Sequence, residues 1–503
     1  MSGYLLGIDA GNTMVKAVLF EADGRDVAAE VCDGATRQPK PGYVERDIRE
    51  MWACAARAVQ GCLRRSGAAA SEILGIGCAG HGNGAYLLDR TGEPLVGIQS
   101  LDRRAADLVE QWNASGASDR LYALCLQKPW PAQTATLLAW LARHDPDLFG
   151  RVGHVLLCKD AIVRFLTGHL GSDYSDVSGA GLLRLPDRRY DDEILAAYGL
   201  EASKTLLPSL AEPTDVVGRV TREAAAATGL TEGTPVVAGL FDVVASAIGT
   251  GVVHPGEASI VAGSWSINQL VCEAPKIDPE IFMSSTFRRD RYMAVEASAT
   301  SAANLEWFVR EMMADTLEHL GRAATFERCN EMVRTIVPSI DLPLFHPYLY
   351  GSGSNGRARA GFYGIGGWHG RAHLARAVLE GVVFEHRRHI GKLRGGGAKV
   401  ESATLSGGAS RSHVWTQMFA EILDIPISTA RCVETGALGG AIAAAVGVGL
   451  HGRLEDAAQA MTECAGRFDT SHAHAEVFEE RYRLYEALGV AMGPAWTSMA
   501  RAN

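Results

Sequence analysis

Thr234-Pro-Val-Val-Ala-Gly-Leu-Phe-Asp242-Val-Val-Ala-Ser-Ala247 is the stretch around which the chain is organised. An apolar run, Thr234 to Leu240, delivers a lone acid to its end, and a helix of small residues begins beyond it, over Val244 to Thr250. Apolar runs of this length bounded by glycine read as buried strands. A carboxylate where a strand ends and a helix starts can face a cleft and take a proton from a substrate hydroxyl. The same acid also fits a helix N-cap, and Asp242 alone does not separate the two readings. The residues on either side of it bear on the choice, because phosphate-loop patterns flank it.

The first lies at the N-terminal end. A short apolar strand, residues 4–8, runs into Asp9-Ala10-Gly11-Asn12-Thr13 and a second apolar stretch, Val15 to Phe20. Asp23-Gly24 is a hairpin turn signal. No Gly-Lys-Ser/Thr follows, so this is not a Walker loop. The backbone N–H groups of a Gly11-Asn12-Thr13 turn can still cradle phosphate oxygens. Asp9 suits a hydrated magnesium ion, which binds few carboxylates and keeps several waters, and Lys16 adds a positive charge. A plain hairpin accounts for the same residues. Beyond Asp242 the pattern returns: the apolar strand 257–262, the small turn Gly263-Ser264-Trp265-Ser266 and a strand from Ile267 to Val271.

Other polar residues stand just past strands. Ile73–Cys78 ends in Ala79-Gly80-His81-Gly82-Asn83-Gly84, whose alternating glycines suit close approach to a small polyhydroxy ligand. Val96–Ser100 ends in Leu101-Asp102-Arg103-Arg104, where Asp102 can accept from a hydroxyl and Arg104 can buttress it; a surface ion pair is the plainer alternative. Asp47 with Glu50 marks a helix start running to about Arg65. Ser406-Gly407-Gly408-Ala409 at the start of a helix permits close approach of a planar ring or a phosphate. His369 and His373 have the spacing of a metal pair, but no third ligand is evident and Arg371 lies between them. The helix 317–336 reads as peripheral, Gly351 to Arg357 is a glycine-rich loop, and the tail 453–503 reads as helical without chemistry.

The 503 residues suggest two to four structural units with ample core. Apolar residues make up 47% and charged residues 21% of the chain, and the mean hydropathy is near zero, which is the composition of a soluble globular protein. A formal charge of −10 argues against nucleic acid as a partner. The ten cysteines form no CxxC pair and no zinc-like cluster, as in a reducing compartment. No basic leader with an apolar segment and no uncharged run of membrane-spanning length is present, so a cytoplasmic, unanchored protein is expected.

In order along the chain stand Gly7-Ile-Asp-Ala-Gly-Asn-Thr13, Gly42-Tyr-Val-Glu-Arg-Asp47, Asp102-Arg-Arg104, Gly239-Leu-Phe-Asp242, the Arg371–Phe384 helix, and Ser406-Gly-Gly-Ala409 with Glu434-Thr-Gly-Ala-Leu-Gly-Gly-Ala441. Together they resemble the FGGY carbohydrate kinases over about residues 4–490. Within that family the closer likeness is to the L-xylulose kinases, carried by Gly239-Leu-Phe-Asp-Val-Val, Ser100-Leu-Asp-Arg-Arg-Ala and Asn304-Leu-Glu-Trp-Phe.

The resemblance implies an α/β chain with the two-domain, actin-like ATPase (ribonuclease H-like) fold and a central cleft. Residues 1–248 would hold the sugar and the first phosphate loop, and residues 249–503 the nucleotide, with a helical tail. It implies Asp242 as catalytic base. It implies ATP-binding residues at Gly11, Asn12 and Thr13, at Gly263, Ser264 and Trp265, and at Gly408, Ala409 and Ser412, with Gly436 and Gly439 behind the adenosine pocket. The sugar site maps to His81, Asn83, Asp102 and Asp242. The family's Gln-Met-His-Gly loop reads His81-Gly-Asn83-Gly here, its Trp-x-Asp-x-Arg reads Ser100-Leu-Asp102-Arg-Arg104, and its Gly-Thr-Thr reads Gly11-Asn12-Thr13; the first two changes remove bulk from the sugar site.

The implied reaction is transfer of the γ-phosphate of ATP, with Mg2+ held by Asp9 through water, to a primary hydroxyl of a ketopentose, L-xylulose first. A keto-sugar acid, for which Arg104 offers a partner, comes next, and erythritol or a pentitol after it. An actin-like ATPase without a sugar explains the two phosphate loops but not the His81, Asn83 and Asp102 set. A non-catalytic sugar-binding regulator would have no need of Asp242. The expected partners are the sugar and ATP, with neither nucleic acid nor membrane, and family habit adds a homodimer.

Overall fold

The computed structural model describes residues 3–352 and 357–501; part of the glycine-rich loop after Gly351, residues 353–356, lies outside them. The chain divides into two compact units. The first takes the chain up to Pro255 with Val271–Ala294 and Glu434–Glu463, and the second takes Gly256–Leu270, Val295–Val433 and the chain from Cys464. Compactness therefore follows sequence order less simply than one boundary at residue 248.

In the first unit β1 (Tyr4–Ala10), β2 (Met14–Glu21) and β3 (Asp26–Asp33) form an antiparallel meander. Helix α1 (Ile48–Ser66) follows, with the Asp47 carboxylate accepting from the N–H groups of Arg49 and Glu50. That cap satisfies donors the first helical turn leaves open. Ile48, Met51, Ala55 and Val59 bury one face of α1 in the core beside Leu6, Ile8 and Leu19. β4 (Ile73–Gly80) then pairs parallel with β1. The short helix α2 (Tyr174–Gly179) precedes β5 (Val216–Arg219), β6 (Pro235–Val237), β7 (Leu240–Phe241) and α3 (Asp242–Ile248). The sheet runs β5-β6-β4-β1-β2-β3, and β7 also pairs with β4. The expected strand into Asp242 is thus interrupted. Gly239 sits there at φ +83°, and a Cβ on it would lie 2.1 Å from the Cys78 carbonyl oxygen. Only glycine allows that turn so close to β4.

The second seven-stranded sheet is built from β8 (Glu257–Ala262), β9 (Ser266–Cys272), β10 (Met283–Arg288), β11 (Arg291–Ser298), β12 (Ser402–Ser406), β13 (Ile427–Ala430) and β14 (Cys464–Phe468); β10 and the parts of β9 and β11 within Val271–Ala294 count with the first unit, the rest with the second. Its order is β10-β11-β9-β8-β12-β13-β14. β14 corrects the all-helical reading of the tail: Cys-Ala-Gly-Arg-Phe has little apolar alternation because an edge strand is half exposed. The long helix α4 (Arg371–Leu393) is buried from Ala375 to His386. Its Glu380 accepts from Arg376 and Arg481, and Arg481 also donates to the carbonyls of Ser339, Leu342 and Pro343. Fully hydrogen-bonded in this way, a buried charge is tolerated.

Helix α5 (Thr435–Gly447) is buried without break from Thr435 to Ala445. A Cβ on Gly7 would lie 2.0 Å from the Ala437 carbonyl oxygen, and one on Gly77 1.9 Å from that of Gly440. The helix backbone rests directly on β1 and β4, which larger residues would prevent. This explains why Glu434–Glu463 joins the first unit despite its distance in sequence. His369 and His373 accept through Nδ1 from the N–H groups of Gly366 and Gly370, at 2.9 and 3.1 Å. They serve the backbone at the start of α4, and no cluster of three or more metal-ligating side chains occurs among the described residues. Among the described residues no helix is long and apolar enough to cross a membrane.

Candidate active site

Asp242 is the first residue of α3. The N-cap position belongs to Phe241, with no side-chain cap bond, so the capping alternative is set aside. Leu240 and Phe241 pair with Ala79 and Gly80 of β4, and the Phe241 N–H donates to Ser175 Oγ at 3.0 Å. Asp9 pairs with the same Ala79 from the other side of β4. Two strand spacings, about 10 Å, therefore separate the backbone at Asp9 from that at Leu240. Both acids stand at the same end of one sheet. Burial, then the charge of Asp9, pushes the Asp242 carboxyl up to about 8. Burial raises Asp9 to about 6, with Lys16 opposing and Glu434 adding to the shift.

The Gly11-Asn12-Thr13 turn is tied down by its carbonyls. Arg46 donates to those of Gly11 and Asn12, Gln99 Nε2 donates to Asn12 O at 2.6 Å, and the Gly34 N–H donates to Thr13 O at 2.8 Å. Asn12 Nδ2 donates to Ser100 Oγ at 3.0 Å. With the carbonyls engaged and the Gly11 N–H donating to the Met14 carbonyl at 3.0 Å, the amides of Asn12 and Thr13 are the groups left to meet an anion. Sequence alone does not single out Arg46 or Gln99; the only signal for Arg46 is its place in Gly42–Asp47. Lys16 differs from expectation: its Nζ bonds Glu434 Oε2 at 2.6 Å, so its charge is already matched.

The sugar-site residues separate. His81 is buried, with Nε2 2.8 Å from Tyr86 OH and Nδ1 3.4 Å from Gly82 O. Burial lowers its imidazole to about 3. Both ring nitrogens thus have partners within the chain. Asp102 is also filled: Oδ1 accepts from Arg104 N and Nε, and Oδ2 from Val44 N and Arg104 Nη2, all at 2.7–2.9 Å. Arg104 is bound again by Glu45 and lies over the Tyr43 ring at 4.1 Å. The pair is buried, and these four bonds match the roughly four lone-pair sites of a carboxylate. Asn83 behaves otherwise. It is 1% exposed, at φ +60°, and its Oδ1 has no hydrogen-bond partner among the described residues. A buried unpaired acceptor costs free energy, and a ligand donor would relieve it.

In the second unit, the Gly263-Ser264-Trp265 turn joins β8 to β9, with Ser264 and Trp265 exposed. A cavity of about 590 Å³ is lined by Ala302, Leu305, Phe326, Asn330, Gly408 and Ser412, among others. Gly408 and Ser412 thus stand where an adenosine pocket was expected, while Ala409 is fully buried and lies outside the lining. The Ser412 hydroxyl caps the helix His413–Leu423 and donates to Asn330 Oδ1 at 2.7 Å. Phe326 and Asn330 come from the helix Arg322–Arg334, which corrects its reading as merely peripheral. Gly436 and Gly439 belong to the first unit: a Cβ on Gly436 would meet Asp9 Oδ2 at 2.5 Å, and one on Gly439 the Ala245 carbonyl oxygen at 2.0 Å.

Residues 4–249 match the model of the N-terminal domain of the FGGY family of carbohydrate kinases, and residues 258–448 that of its C-terminal domain. The chain belongs to the FGGY family of carbohydrate kinases. It is 32% identical over 496 residues to the L-xylulose/3-keto-L-gulonate kinase of Escherichia coli (strain K12), covering 98% of each chain. The solved structure of a xylulose kinase from Rhodospirillum rubrum superposes with a TM-score of 0.88 at 27% identity, over 98% of this chain and 100% of that one. A ligand-bound xylulose kinase from Lactobacillus acidophilus gives 0.91 at 22% identity over 99% and 100%, a likeness of fold. This FGGY kinase is therefore a phosphotransferase of the two-domain actin-like fold, with ATP and a sugar as its small-molecule partners.

Proposed function

We propose that this chain transfers the γ-phosphate of ATP to a primary hydroxyl of a ketopentose, L-xylulose first, with Asp242 as the base. The observation that carries the reading is the placement of Asp242: an acid at the start of α3, pushed up to about 8, at the same sheet end as Asp9 and the Gly11–Thr13 turn. A carboxyl near that value is basic enough to accept a hydroxyl proton and is ionised in a useful fraction near neutrality. Asp242 takes the proton as the sugar oxygen bonds to the γ-phosphorus and the bond from that phosphorus to the bridging oxygen of ADP breaks. The amides of Asn12 and Thr13 hold phosphate oxygens, and Asn83 orients the sugar through its unpaired Oδ1.

Two acids raised by burial, with Lys16 already matched by Glu434, form a site that gains from a divalent cation. We assign Mg2+, held by Asp9 through water; when bound it neutralises charge on the phosphate oxygens. The cavity beside Gly408 and Ser412 takes the adenosine, and the Gly263–Trp265 turn takes phosphate. L-xylulose is placed first because the chain matches an L-xylulose/3-keto-L-gulonate kinase along nearly its whole length. A keto-sugar acid stands second, on the second substrate in that relative's name. Arg104 does not support it, being engaged by Asp102 and Glu45. Erythritol and pentitols come third.

The test is coupled ADP release with magnesium-ATP over L-xylulose, other ketopentoses, pentitols, erythritol and keto-sugar acids. L-xylulose as the best substrate supports the reading. A polyol or sugar acid as the only substrate moves the substrate, and sugar-independent ADP release overturns the base assignment. We further propose a cytoplasmic homodimer that binds no nucleic acid, which sedimentation and cell fractionation test.

A further inference from the structure

A buried polar network in the second unit is left unused by the reaction above. Ser266 is the first residue after the Gly263–Trp265 turn, and its hydroxyl lies 3.2 Å from His386 Nδ1 and 3.3 Å from His389 Nδ1. Both histidines come from α4. Asn268, on the same strand as Ser266, bridges them: its Oδ1 is 2.8 Å from His386 Nδ1, and its Nδ2 is 2.9 Å from His389 Nδ1. The other ring nitrogens reach the end of β11 and the segment that follows it. His386 Nε2 is 3.1 Å from Ser301 Oγ, and His389 Nε2 is 3.2 Å from Ser298 Oγ, which itself bonds Thr300. All of these side chains are at most 2% exposed.

The pattern assigns opposite tautomers. The Asn268 carbonyl oxygen accepts from His386, which must carry its hydrogen on Nδ1 and accept from Ser301 at Nε2. The Asn268 amide donates to His389, which carries its hydrogen on Nε2. Both rings are neutral: burial lowers His386 to about 3 and His389 to about 4. With no charge to bury and both ring nitrogens partnered, the network is inexpensive to keep and stiff.

What it stiffens lies beside the nucleotide groups. The segment that His386 and His389 hold, Ser298 to Ser301, leads into Ala302. The Ala302 N–H donates to the Gly263 carbonyl at 2.8 Å, and Ala302 also lines the 590 Å³ cavity. On the other flank, a Cβ on Gly407 would lie 2.8 Å from the Ala262 carbonyl and 3.0 Å from the Gly263 nitrogen, so the Ser406–Gly408 turn packs on the base of the same hairpin. The two histidines therefore grip both arms from which the Gly263–Trp265 turn is suspended: Ser266 directly, and Gly263 through Ala302.

We propose that His386 and His389 are positioning residues for ATP, fixing the Gly263–Trp265 turn and the adjoining cavity wall from behind without touching the nucleotide. The proposal rests on the assignment of that turn and cavity to ATP. Calorimetry of magnesium-ATP and, separately, of L-xylulose tests it on the full chain. His386→Leu removes the contacts of one ring to Ser266, Asn268 and Ser301. Each lost buried hydrogen bond is worth a few-fold to about tenfold in affinity, so magnesium-ATP should bind about tenfold or more weakly, with sugar affinity within about twofold of wild type. His386→Gln, whose amide can face Ser301, should recover most of the loss. Ser301→Ala, a milder change that keeps the ring, should weaken magnesium-ATP by about three- to tenfold; it carries the test should His386→Leu not fold. Unaltered magnesium-ATP binding in Ser301→Ala or in folded His386→Leu overturns the proposal. So does an equal loss for both ligands without recovery in His386→Gln, which marks a merely structural role. Failure of the wild-type chain to bind magnesium-ATP overturns the nucleotide assignment itself.

Discussion

Replacing Asp242 by Asn removes a charge and almost no volume, and the structure gives the effect a sign and a size. The carboxyl is raised from 3.8 to about 8, chiefly by burial. Moving a carboxyl's titration up by one pH unit corresponds to about 1.4 kcal/mol, so ionising this group in the folded chain costs up to roughly 6 kcal/mol above pH 8. Asp242 is only half-buried and keeps one side toward solvent, so a third to a half of that, about 2–3 kcal/mol, is expected. A carboxyl raised on folding leaves stability intact below its unfolded value and withdraws it as pH climbs toward the folded one. Asp242→Asn should thus match wild type near pH 4, pull ahead between pH 4 and pH 8, and be more stable by about 4–6 °C at pH 8, at about 2 °C per kcal/mol for a unit of about 300 residues. Its turnover should fall by about a thousandfold or more, because general-base assistance is lost and the neutral amide cannot take a proton. The assay is thermal unfolding of both proteins at unit pH steps, beside coupled ADP release on the same samples. A stability difference that does not change with pH would refute the electrostatic reasoning. Near-normal turnover would refute the base assignment.

Asn83→Gly keeps the left-handed backbone that residue 83 adopts and deletes the amide; steady-state kinetics should show the sugar KM up by about tenfold or more with the KM for ATP unmoved. A rise in both alike would argue against Asn83 as a sugar ligand. Gly77→Ala drives a methyl to 1.9 Å from the Gly440 carbonyl, so α5 must lift from the sheet; thermal or urea unfolding should show a loss of about 3 kcal/mol or more. Lys159 lies fully buried against Asp160, Asp173 at 2.8 Å and Asp176 at 3.7 Å. Lys159→Met strands those acids, and denaturant titration should record a loss of about 3–5 kcal/mol at pH 7 that lessens toward pH 4 as Asp173 and Asp176, both raised by burial, protonate.

Much of the site is legible in sequence because its signals are local. The turn at Gly11–Thr13 and the turn at Gly263–Trp265 sit between apolar runs, Asp47 stands before a helix, and Asp242 ends an apolar stretch at a helix start. Each is a statement about neighbours in sequence. Asp102 has a claimant in plain view, Arg104 two residues on, but its second one, Val44, is distant; His81 and Lys16 are met chiefly by Tyr86 and Glu434, which no neighbouring residue announces. Of these, Glu434 is some four hundred positions from Lys16. Phe326 and Asn330 escape a sequence reading because a helix rich in charge looks solvent-facing along its length, and only its packing reveals which turn borders a cavity.

The sequence by itself determined the alternation of strands and helices, the glycine turns and the acid at residue 242, since backbone conformation and periodic burial are set by residues a few positions apart. Tertiary structure alone decided which polar groups remain available. Whether a carboxylate or imidazole is free depends on partners brought from distant elements, as Asn83 is left with an unpaired oxygen while Asp102 is saturated. It also decided the protonation of Asp242, because desolvation is a property of everything packed around a group and of no single residue beside it.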